Sequence, residues 1–289
     1  MGLDVNTALL LMDARAKGAS FDRILMLGRL SLNVYAARMA ELLAERGFPN
    51  EAFRQGAAEH TYAEPFLHAL GAKEVDAMDN STFEGARLIH DLNQPLPDQW
   101  KASYDVVIDG GTLEHVFHFP TALKNAMELV KEGGRLVIHN AANNLCGHGF
   151  YQFSPELFYR TLNAQNGFEV ERMIIHRVGP YGTWYEVSDP EKIRERVELI
   201  TFTPMHLLVI ARRVKVVPVF ATAPQQSDYT VMWQEAQPAP ANPPAPKRVA
   251  FPRLTRLIHV AKTGLAFYRR QSLGNRRFFK PVDKFKTGK

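Results

Sequence analysis

The sequence predicts an α/β fold in which a mainly parallel sheet carries helices on both faces, followed by a proline-rich linker and a basic tail. Strand-like apolar runs alternate with helical patterns over the first 214 residues, and such alternation favours parallel strands joined by helices. A turn-rich segment separates the last two runs, which predicts that they form an antiparallel pair closing the sheet. The seven runs span residues 24–27, 73–78, 86–92, 104–109, 134–140, 168–178 and 206–214.

The first strand, turn and helix are predicted in the stretch FDRILMLGRLSLNVYAARMAELL, residues 21–43. Its apolar run, ILML, is a short strand, and Gly28 follows as the turn. Behind the glycine, Leu32, Tyr35, Met39 and Leu43 recur at helical spacing. This order of elements is the one in which a glycine-rich loop lets backbone N–H groups approach a cofactor.

Two later helices have strong boundary signals. After Pro120, apolar residues share one helical face, and Gly133 can adopt the left-handed conformation that ends a helix. Another helix is predicted to begin at Ser154, whose hydroxyl can cap it. Pro155 suits the first turn, and the acid at Glu156 lies near the positive helix end.

The composition indicates a globular protein of a reducing compartment. Of 289 residues, 46% are hydrophobic, which is enough for a sizeable core. A single cysteine, Cys146, excludes an internal disulfide framework and a multi-cysteine zinc site. The first residues lack the features of a signal peptide, and no run reaches the roughly 20 apolar residues of a membrane span. We therefore expect a cytoplasmic protein.

The basic character of the chain is concentrated at its end. Residues 247–289 contain 13 Lys or Arg and one acidic residue, so this segment carries +12 and the first 246 residues carry −7. These features divide the chain into a folded domain at 1–214, a Pro/Ala-rich linker at 215–248 and a basic amphipathic tail at 249–289. Three alternatives stay open for the tail. It contacts an anionic membrane or a partner protein, it packs back on the acidic body, or, less favoured, it binds nucleic acid. A membrane contact would place the protein at the inner face of the membrane.

Polar residues follow several of the predicted strands, where ligands bind in open α/β sheets. Asp79 ends the second strand and can accept two hydrogen bonds from a ribose diol. Asp91 follows the third strand and can accept from an adenine amino group. The fourth strand ends in Asp109-Gly110-Gly111, where glycines allow backbone to come close to a ligand or to form a turn.

Two segments, YDVVIDGGTLEHV and ALKNAMELVKEGGRLVIHN, resemble the fourth strand, the following helix and the fifth strand of class I S-adenosylmethionine-dependent methyltransferases. The similarity covers about residues 21–212 and implies a Rossmann-like, seven-stranded, mainly parallel sheet whose last strand is antiparallel. It also implies S-adenosylmethionine as cofactor. The implied cofactor contacts are Gly28, Arg29, Asp79, Asn80, Asp91, Leu92, Asp109 and Gly110.

The first motif departs from that family. It reads LMLGRLSL in place of roughly LDLGCGTG, as in a bacterial subgroup that carries LGR at this position, so Gly28 is kept and two glycines are replaced by Leu30 and Leu32. A side chain at Leu30 would crowd the backbone approach to the methionine part of the cofactor. Arg29 could compensate by pairing with the cofactor carboxylate, or it could be solvent-exposed.

Methyl transfer requires an aligned acceptor and, for an oxygen acceptor, removal of a proton. His148 is the first candidate for this base because it lies in a glycine-flanked loop ahead of a helix. Asp109 and His115 are further catalytic candidates, and Asn143, Asn144 and Tyr151 are candidates for binding the acceptor. No metal is expected, because the histidines are scattered and lack thiol partners.

The resemblance therefore implies an enzyme that methylates a hydroxyl or amine, and we expect its acceptor to be a small molecule or glycan precursor. The alternative is a non-catalytic, methyltransferase-like protein that uses the altered pocket for binding or regulation.

Overall fold

The computed structural model describes residues 2–55, 62–180, 182–235, 262 and 264–286. Its strands are β1 Gly2–Leu3, β2 Arg23–Leu27, β3 Ser31–Leu32, β4 Glu74–Asp79, β5 Leu88–Ile89, β6 Tyr104–Asp109, β7 Val130–Asn143, β8 Phe168–Arg177, β9 Trp184–Val187, β10 Met205–Arg213 and β11 Phe279–Val282. Its helices are α1 Val5–Ala16, α2 Ala36–Glu45, α3 Glu51–Arg54, α4 Glu64–Ala69, α5 Phe119–Leu129, α6 Pro155–Thr161, α7 Pro190–Ile193 and α8 Ser227–Glu235. Short 3-10 helices span Asp98–Trp100, Leu113–His115 and Ala164–Asn166.

The strands form one large mixed sheet in the order β11-β9-β8-β10-β7-β6-β2-β4-β5, and β1 pairs separately with β3. The strands from β7 to β5 along this order are parallel, whereas β10 is antiparallel to both β7 and β8. The predicted α/β fold with a parallel core and an antiparallel closing pair is therefore confirmed. The sheet has nine strands among the described residues and not seven, because β9 and β11 extend its antiparallel edge.

Both faces of the sheet are covered by helices, as predicted. Strand β2 shows why, because alternate residues of a strand point to opposite faces. Ile24 and Met26 pack into the core that includes α1 and α2, and Leu25 and Leu27 pack into the core that includes α5 and α6. A strand buried on both faces reads as a continuous apolar run, and ILML is such a run.

Two predicted helix boundaries shift in the structure. Leu32 belongs to β3, which pairs with β1, so the helix after Gly28 begins only at Ala36. The helix at Pro120 ends at Leu129, and Gly133, with φ +80°, lies inside β7. The predicted start of α6 is confirmed, because the Ser154 side chain accepts a hydrogen bond from the Leu157 N–H.

The end of the basic tail packs on the sheet. Strand β11 pairs with β9, and the buried Lys284 ammonium donates hydrogen bonds to the side-chain oxygen of Asn6 and to the carbonyls of Pro180 and Gly182. Within the predicted linker, α8 forms, while residues 236–248 lie outside the described residues, as does most of the predicted amphipathic stretch before residue 264. No helix in the described part of the chain is long and apolar enough to cross a membrane.

Candidate active site

A cleft of about 190 Å³ lies at the carboxyl ends of the parallel strands. The chain proceeds outward from β2 to β4 and β5 and then returns to place β6 on the other side of β2, so the strand order reverses beside β2. Such a reversal opens a crevice where ligands bind in α/β sheets. The cleft is lined by Gly28, Met78, Asp79, Asn80, His90, Asp91, Leu92, Asn93, Thr112, His115 and Val116.

Gly28 is at the centre of this crevice in a conformation that requires glycine. Its φ is +71°, and its N–H donates to the carbonyl of Met78 at 2.7 Å. A Cβ at this position would lie 3.1 Å from the Thr112 hydroxyl and 3.9 Å from Asp79 Oδ2. The Thr112 hydroxyl itself donates to the Leu27 carbonyl at 2.6 Å, which fixes it beside the turn. The ends of β2, β4 and β6 are thus brought into close contact.

The two carboxylates predicted to bind a nucleoside both line this cleft. Asp79 ends β4 and is partly exposed. Asp91 Oδ1 accepts hydrogen bonds from the backbone and side-chain N–H groups of Asn93 at 2.9 and 2.7 Å, and these bonds lower the pKa of Asp91. The carboxyl groups of Asp79 and Asp91 are therefore hydrogen-bond acceptors that line the same cleft. Asn80 and the buried Leu92, also predicted for the cofactor, lie beside them.

Arg29 points away from the cleft and is engaged by the protein. Its Nε donates to Glu64 Oε1 at 2.7 Å, and Nη1 donates to the Glu84 carbonyl at 3.0 Å. The guanidinium carbon also lies 3.9 Å from the ring centroid of Tyr62. These contacts tie the loop after β2 to the start of α4, to Tyr62 just before it and to the loop after β4. In this arrangement the guanidinium holds the loop and does not line the cleft.

Leu30 and Gly110 meet behind the turn. Leu30 is 3% exposed, and a Cβ on Gly110 would lie 2.9 Å from both Leu30 methyl carbons. The space that a second loop glycine would leave open is therefore occupied by an apolar side chain. Gly110 does allow a close approach, as predicted, but in this structure the group that approaches it is Leu30.

Two buried carboxyl groups lie behind the cleft, Asp109 at the end of β6 and Glu114 in the 3-10 helix. Asp109 Oδ1 accepts from the backbone N–H groups of Thr112 and Leu113 at 2.8 and 3.2 Å, and Glu114 Oε2 accepts from Asn140 Nδ2 at 2.6 Å. Burial raises the pKa of Asp109, and burial together with the Asp109 charge raises that of Glu114 to about 8. Asp109 therefore shapes the turn from inside the protein and does not open onto the cleft.

Glu114 was missed by sequence reasoning although it lies in the LEHV motif. Its carbonyl accepts from the N–H of Phe150, and a Cβ on Gly149 would lie 2.8 Å from that same oxygen. The loop carrying His148 is thereby held against it. His148 Nε2 lies 3.8 Å from Glu114 Oε1, and the His148 and His115 rings are 5.4 Å apart. Both predicted histidines thus lie together beside a buried acid, and His115 lines the cleft.

The three predicted acceptor-binding residues hold neighbouring loops instead. Asn143 and Asn144 donate through Nδ2 to Thr201 Oγ1 at 3.2 and 3.0 Å, and Asn144 also donates to the Thr201 carbonyl. The Tyr151 hydroxyl donates to the Phe117 carbonyl at 2.6 Å. Its ring packs against the rings of Phe119 and Phe153. None of the three lines the 190 Å³ cleft.

A second cavity, of about 360 Å³, is bordered by the residues just after β3 and by the ends of β7, β8 and β10. His139 and His206 line it, and His176 lies beside them. The expectation that the histidines are too scattered for a metal site was therefore incomplete, because the fold brings three of them together.

No protein-family model and no curated protein matches this sequence. Among solved structures, 1,6-didemethyltoxoflavin-N1-methyltransferase of Burkholderia thailandensis is 15% identical over 73% of this chain and 78% of its own, with a TM-score of 0.39. The N-methyltransferase NodS of Bradyrhizobium japonicum is 14% identical over 73% and 94%, with a TM-score of 0.37. A branched-chain polyamine synthase variant of Thermus thermophilus is 12% identical over 76% and 59%, with a TM-score of 0.39.

Proposed function

We propose that this protein is an S-adenosylmethionine-dependent methyltransferase that acts on a nitrogen or oxygen atom of a small molecule or glycan precursor. The observation that carries the proposal is the convergence of Gly28, Asp79 and Asp91 on one cleft at the reversal of strand order. These residues come from the ends of three successive parallel segments. They follow one another along the chain in the same order as the residues that, by the family resemblance, bind the nucleoside part of the cofactor.

The chemistry of the cleft suits a nucleoside. Asp79 offers two carboxylate oxygens beside the glycine turn, an arrangement that can accept both hydroxyls of a ribose. Asp91 is held as a carboxylate by Asn93, and the adjacent Leu92 is apolar, which suits the amino edge and the flat face of an adenine. Gly28 leaves room for the ligand between them.

The part of the proposal that concerns the methyl acceptor rests on His148 and His115. When bound, S-adenosylmethionine supplies an electrophilic methyl group. His148, which is partly exposed and lies beside His115, would take the proton from a hydroxyl or ammonium acceptor, and the buried Glu114 carboxyl lies 3.8 Å from its Nε2. His115 borders the same opening and lines the cleft.

The contact between Leu30 and Gly110 favours a second candidate function, a non-catalytic protein that binds a nucleoside without transferring a methyl group. Leu30 fills space next to Gly110, where the resemblance puts the methionine part of the cofactor. A protein of this kind would bind S-adenosylhomocysteine or a simple nucleoside through Asp79 and Asp91. It would show no turnover.

Isothermal titration of the full chain with S-adenosylmethionine and S-adenosylhomocysteine tests the cofactor. Asp79→Asn should weaken binding by roughly 1.5–3 kcal/mol, because hydrogen bonds to a charged group are lost. Asp98→Asn is the matched control, since that side chain is 95% exposed and lies outside the cleft. Absence of binding of either ligand at millimolar concentration would reject the cofactor.

Arg29→Gln extends the same titration. Arg29 contacts Glu64 and Tyr62. We therefore expect Arg29→Gln to reduce the affinity for the two ligands less than Asp79→Asn does. A loss as large as that of Asp79→Asn would instead assign Arg29 to the cofactor carboxylate. Binding with no methyl transfer to amine or hydroxyl acceptors would favour the non-catalytic candidate.

The proposal includes a surface contact through the basic tail, to an anionic membrane or a partner protein. In the described part of the tail, Leu265 and Phe267 are 52% and 55% exposed beside Arg269 and Arg270. Apolar and basic groups on one short segment suit an anionic surface. Co-sedimentation with anionic but not neutral vesicles is the expected result for a membrane contact.

A further inference from the structure

Three buried or partly buried histidines lie together on one face of the sheet. His139 is on β7, His206 on β10 and His176 on β8, and these strands are neighbours in the order β7-β10-β8. His206 pairs directly with His176 in the β10–β8 register. The three ring centroids are separated by 4.7, 5.5 and 5.9 Å. One nitrogen from each ring lies within 4.8 Å of the others.

Hydrogen bonds orient the nitrogens of two of these rings. The Thr7 hydroxyl lies 3.1 Å from Asp4 Oδ1 and 2.7 Å from His139 Nδ1. We assign its hydrogen to the Asp4 carboxylate, so that it accepts from His139 Nδ1–H and the His139 Nε2 lone pair faces the cluster. His176 Nδ1 lies 2.8 Å from the carbonyl of Arg177, which accepts but cannot donate. His176 Nε2 is consequently also a lone-pair nitrogen.

Two of the nitrogens that face the cluster, Nε2 of His139 and Nε2 of His176, belong to buried rings and are acceptors. His176 is fully buried, and its Nε2 has no hydrogen-bond partner within the described ranges. His139 Nε2 lies 2.9 Å from His206 Nδ1. In the metal-free protein this contact is a hydrogen bond in which His206 Nδ1–H donates, so coordination through Nδ1 requires the His206 proton to be on Nε2. A zinc ion held at 2.0–2.1 Å from each nitrogen sets the nitrogens roughly 3.3 Å apart, so the His139 and His206 nitrogens would separate slightly and the His176 nitrogen, within 4.8 Å of them, would move closer.

A contact outside the cluster supports one of these rings. The link from His139 through Thr7 to Asp4 is the kind of outer contact that fixes the tautomer of a metal-binding histidine.

We propose that His139, His176 and His206 bind one divalent transition-metal ion of the zinc type, with an open coordination position toward the 360 Å³ cavity. Three nitrogen donors suit such an ion and not magnesium or calcium, which prefer oxygen. Three protein ligands and a free position are typical of metal sites that bind a water molecule or a ligand oxygen. His139 and His206 both line the cavity, together with Asp4, Tyr35 and Arg38.

The residues around the open coordination position indicate which class of ligand it can take. An oxygen donor such as a hydroxyl or a carboxylate could take the open position, and the Arg38 guanidinium in the cavity wall is already paired with Glu41 at 2.8 Å. This site lies on other strands than the cleft at Gly28 and Asp79. The proposal therefore does not rest on methyl transfer, and it survives if the chain proves to bind no S-adenosylmethionine.

Equilibrium dialysis of the full chain against ZnCl₂ or CoCl₂ tests the proposal, with metal content measured per chain and the visible absorption of bound Co²⁺ as a second readout. We expect one tightly bound ion per chain and a tetrahedral Co²⁺ spectrum. His206→Gln should weaken binding at least tenfold and remove that spectrum. No bound ion at millimolar metal would overturn the proposal.

A second cluster supplies the matched control. Glu114, His115 and His148 also place possible ligand atoms within 4.8 Å of one another. His148→Gln should leave the ion bound at His139, His176 and His206 unchanged. If His148→Gln removes the ion while His206→Gln keeps it, the ion belongs to the other cluster and the proposal is wrong.

Thr7→Val keeps the test decisive if His206→Gln does not fold. Valine has nearly the shape of threonine but cannot accept from His139 Nδ1, so metal affinity should fall roughly 10- to 100-fold. Thermal unfolding of the metal-free variant checks its fold first. Unchanged metal affinity in a folded Thr7→Val protein would contradict the assigned tautomer and, with it, the proposed site.

Discussion

The side chain of Leu30 lies against Gly110, with both methyl carbons 2.9 Å from where a Cβ of residue 110 would be. Strand β2 and strand β6 are parallel neighbours, so the turns that follow them meet at the same edge of the sheet. In this structure an apolar contact fills their junction. The polar cleft at Gly28 and Asp79 begins on the other side of it. Leu30 thus fills the junction two residues from Gly28, which lines the cleft.

Leu30→Ala should enlarge that cleft at the expense of stability. Removing a buried leucine side chain costs roughly 2–5 kcal/mol of unfolding free energy because a cavity remains. If the methionine part of the cofactor lies over Gly110, the shorter side chain should also tighten S-adenosylhomocysteine binding. Urea unfolding and isothermal titration measure the two effects.

Leu11→Ala is the matched comparison for that variant. Leu11 is fully buried in the same core on α1 but lies outside the cleft. It should lower stability by a similar amount and leave ligand affinity unchanged. Equal affinity changes in both variants would mean that Leu30 acts only through stability.

Glu114→Gln should make stability less dependent on pH. Burial and the Asp109 charge raise the pKa of Glu114 from 4.5 to about 8, so the folded chain holds a proton that the unfolded chain releases. The free energy of unfolding therefore falls as the pH rises from about 4.5 to about 8, by at most about 1.4 kcal/mol per pH unit. The glutamine variant lacks this loss, and urea unfolding across that range measures the difference.

Glu41→Gln is the control for the pH experiment. Glu41 pairs with Arg38 and is 62% exposed, so its replacement should leave the pH profile nearly parallel to that of the wild type. Other buried groups, including His139 and His176, contribute equally to all three proteins. Parallel profiles for Glu114→Gln and wild type would show that Glu114 is ionised in the folded protein.

Lys284→Met should loosen the tail from the body. The buried ammonium donates to Asn6, Pro180 and Gly182, and methionine would leave the two carbonyls without that donor, at a cost of roughly 1–3 kcal/mol. Chemical unfolding of the full chain measures this loss. Lys286→Met, at an exposed position two residues later, should change stability little. Equal effects would indicate that charge alone matters.

Much of the fold could be read from the sequence because local patterns agree with it. The apolar run ILML is buried on both faces of the sheet, and Ser154 caps a helix as its residue type predicts. The helix boundaries at Leu32 and Gly133 were wrong for a common reason. Strand pairing with β1 and with the neighbours of β7 overrode local helical spacing, and pairing partners distant in sequence leave no local signal.

By itself, the sequence determined the α/β alternation and the set of polar residues at the strand ends, because both are local patterns along the chain. Only the tertiary structure decided which of them share a cleft and which are engaged elsewhere, as Arg29 is by Glu64. It also brought His139, His176 and His206 together from three strands. Contacts between strands adjacent in space but distant in sequence have no spacing rule, so only the folded sheet reveals them.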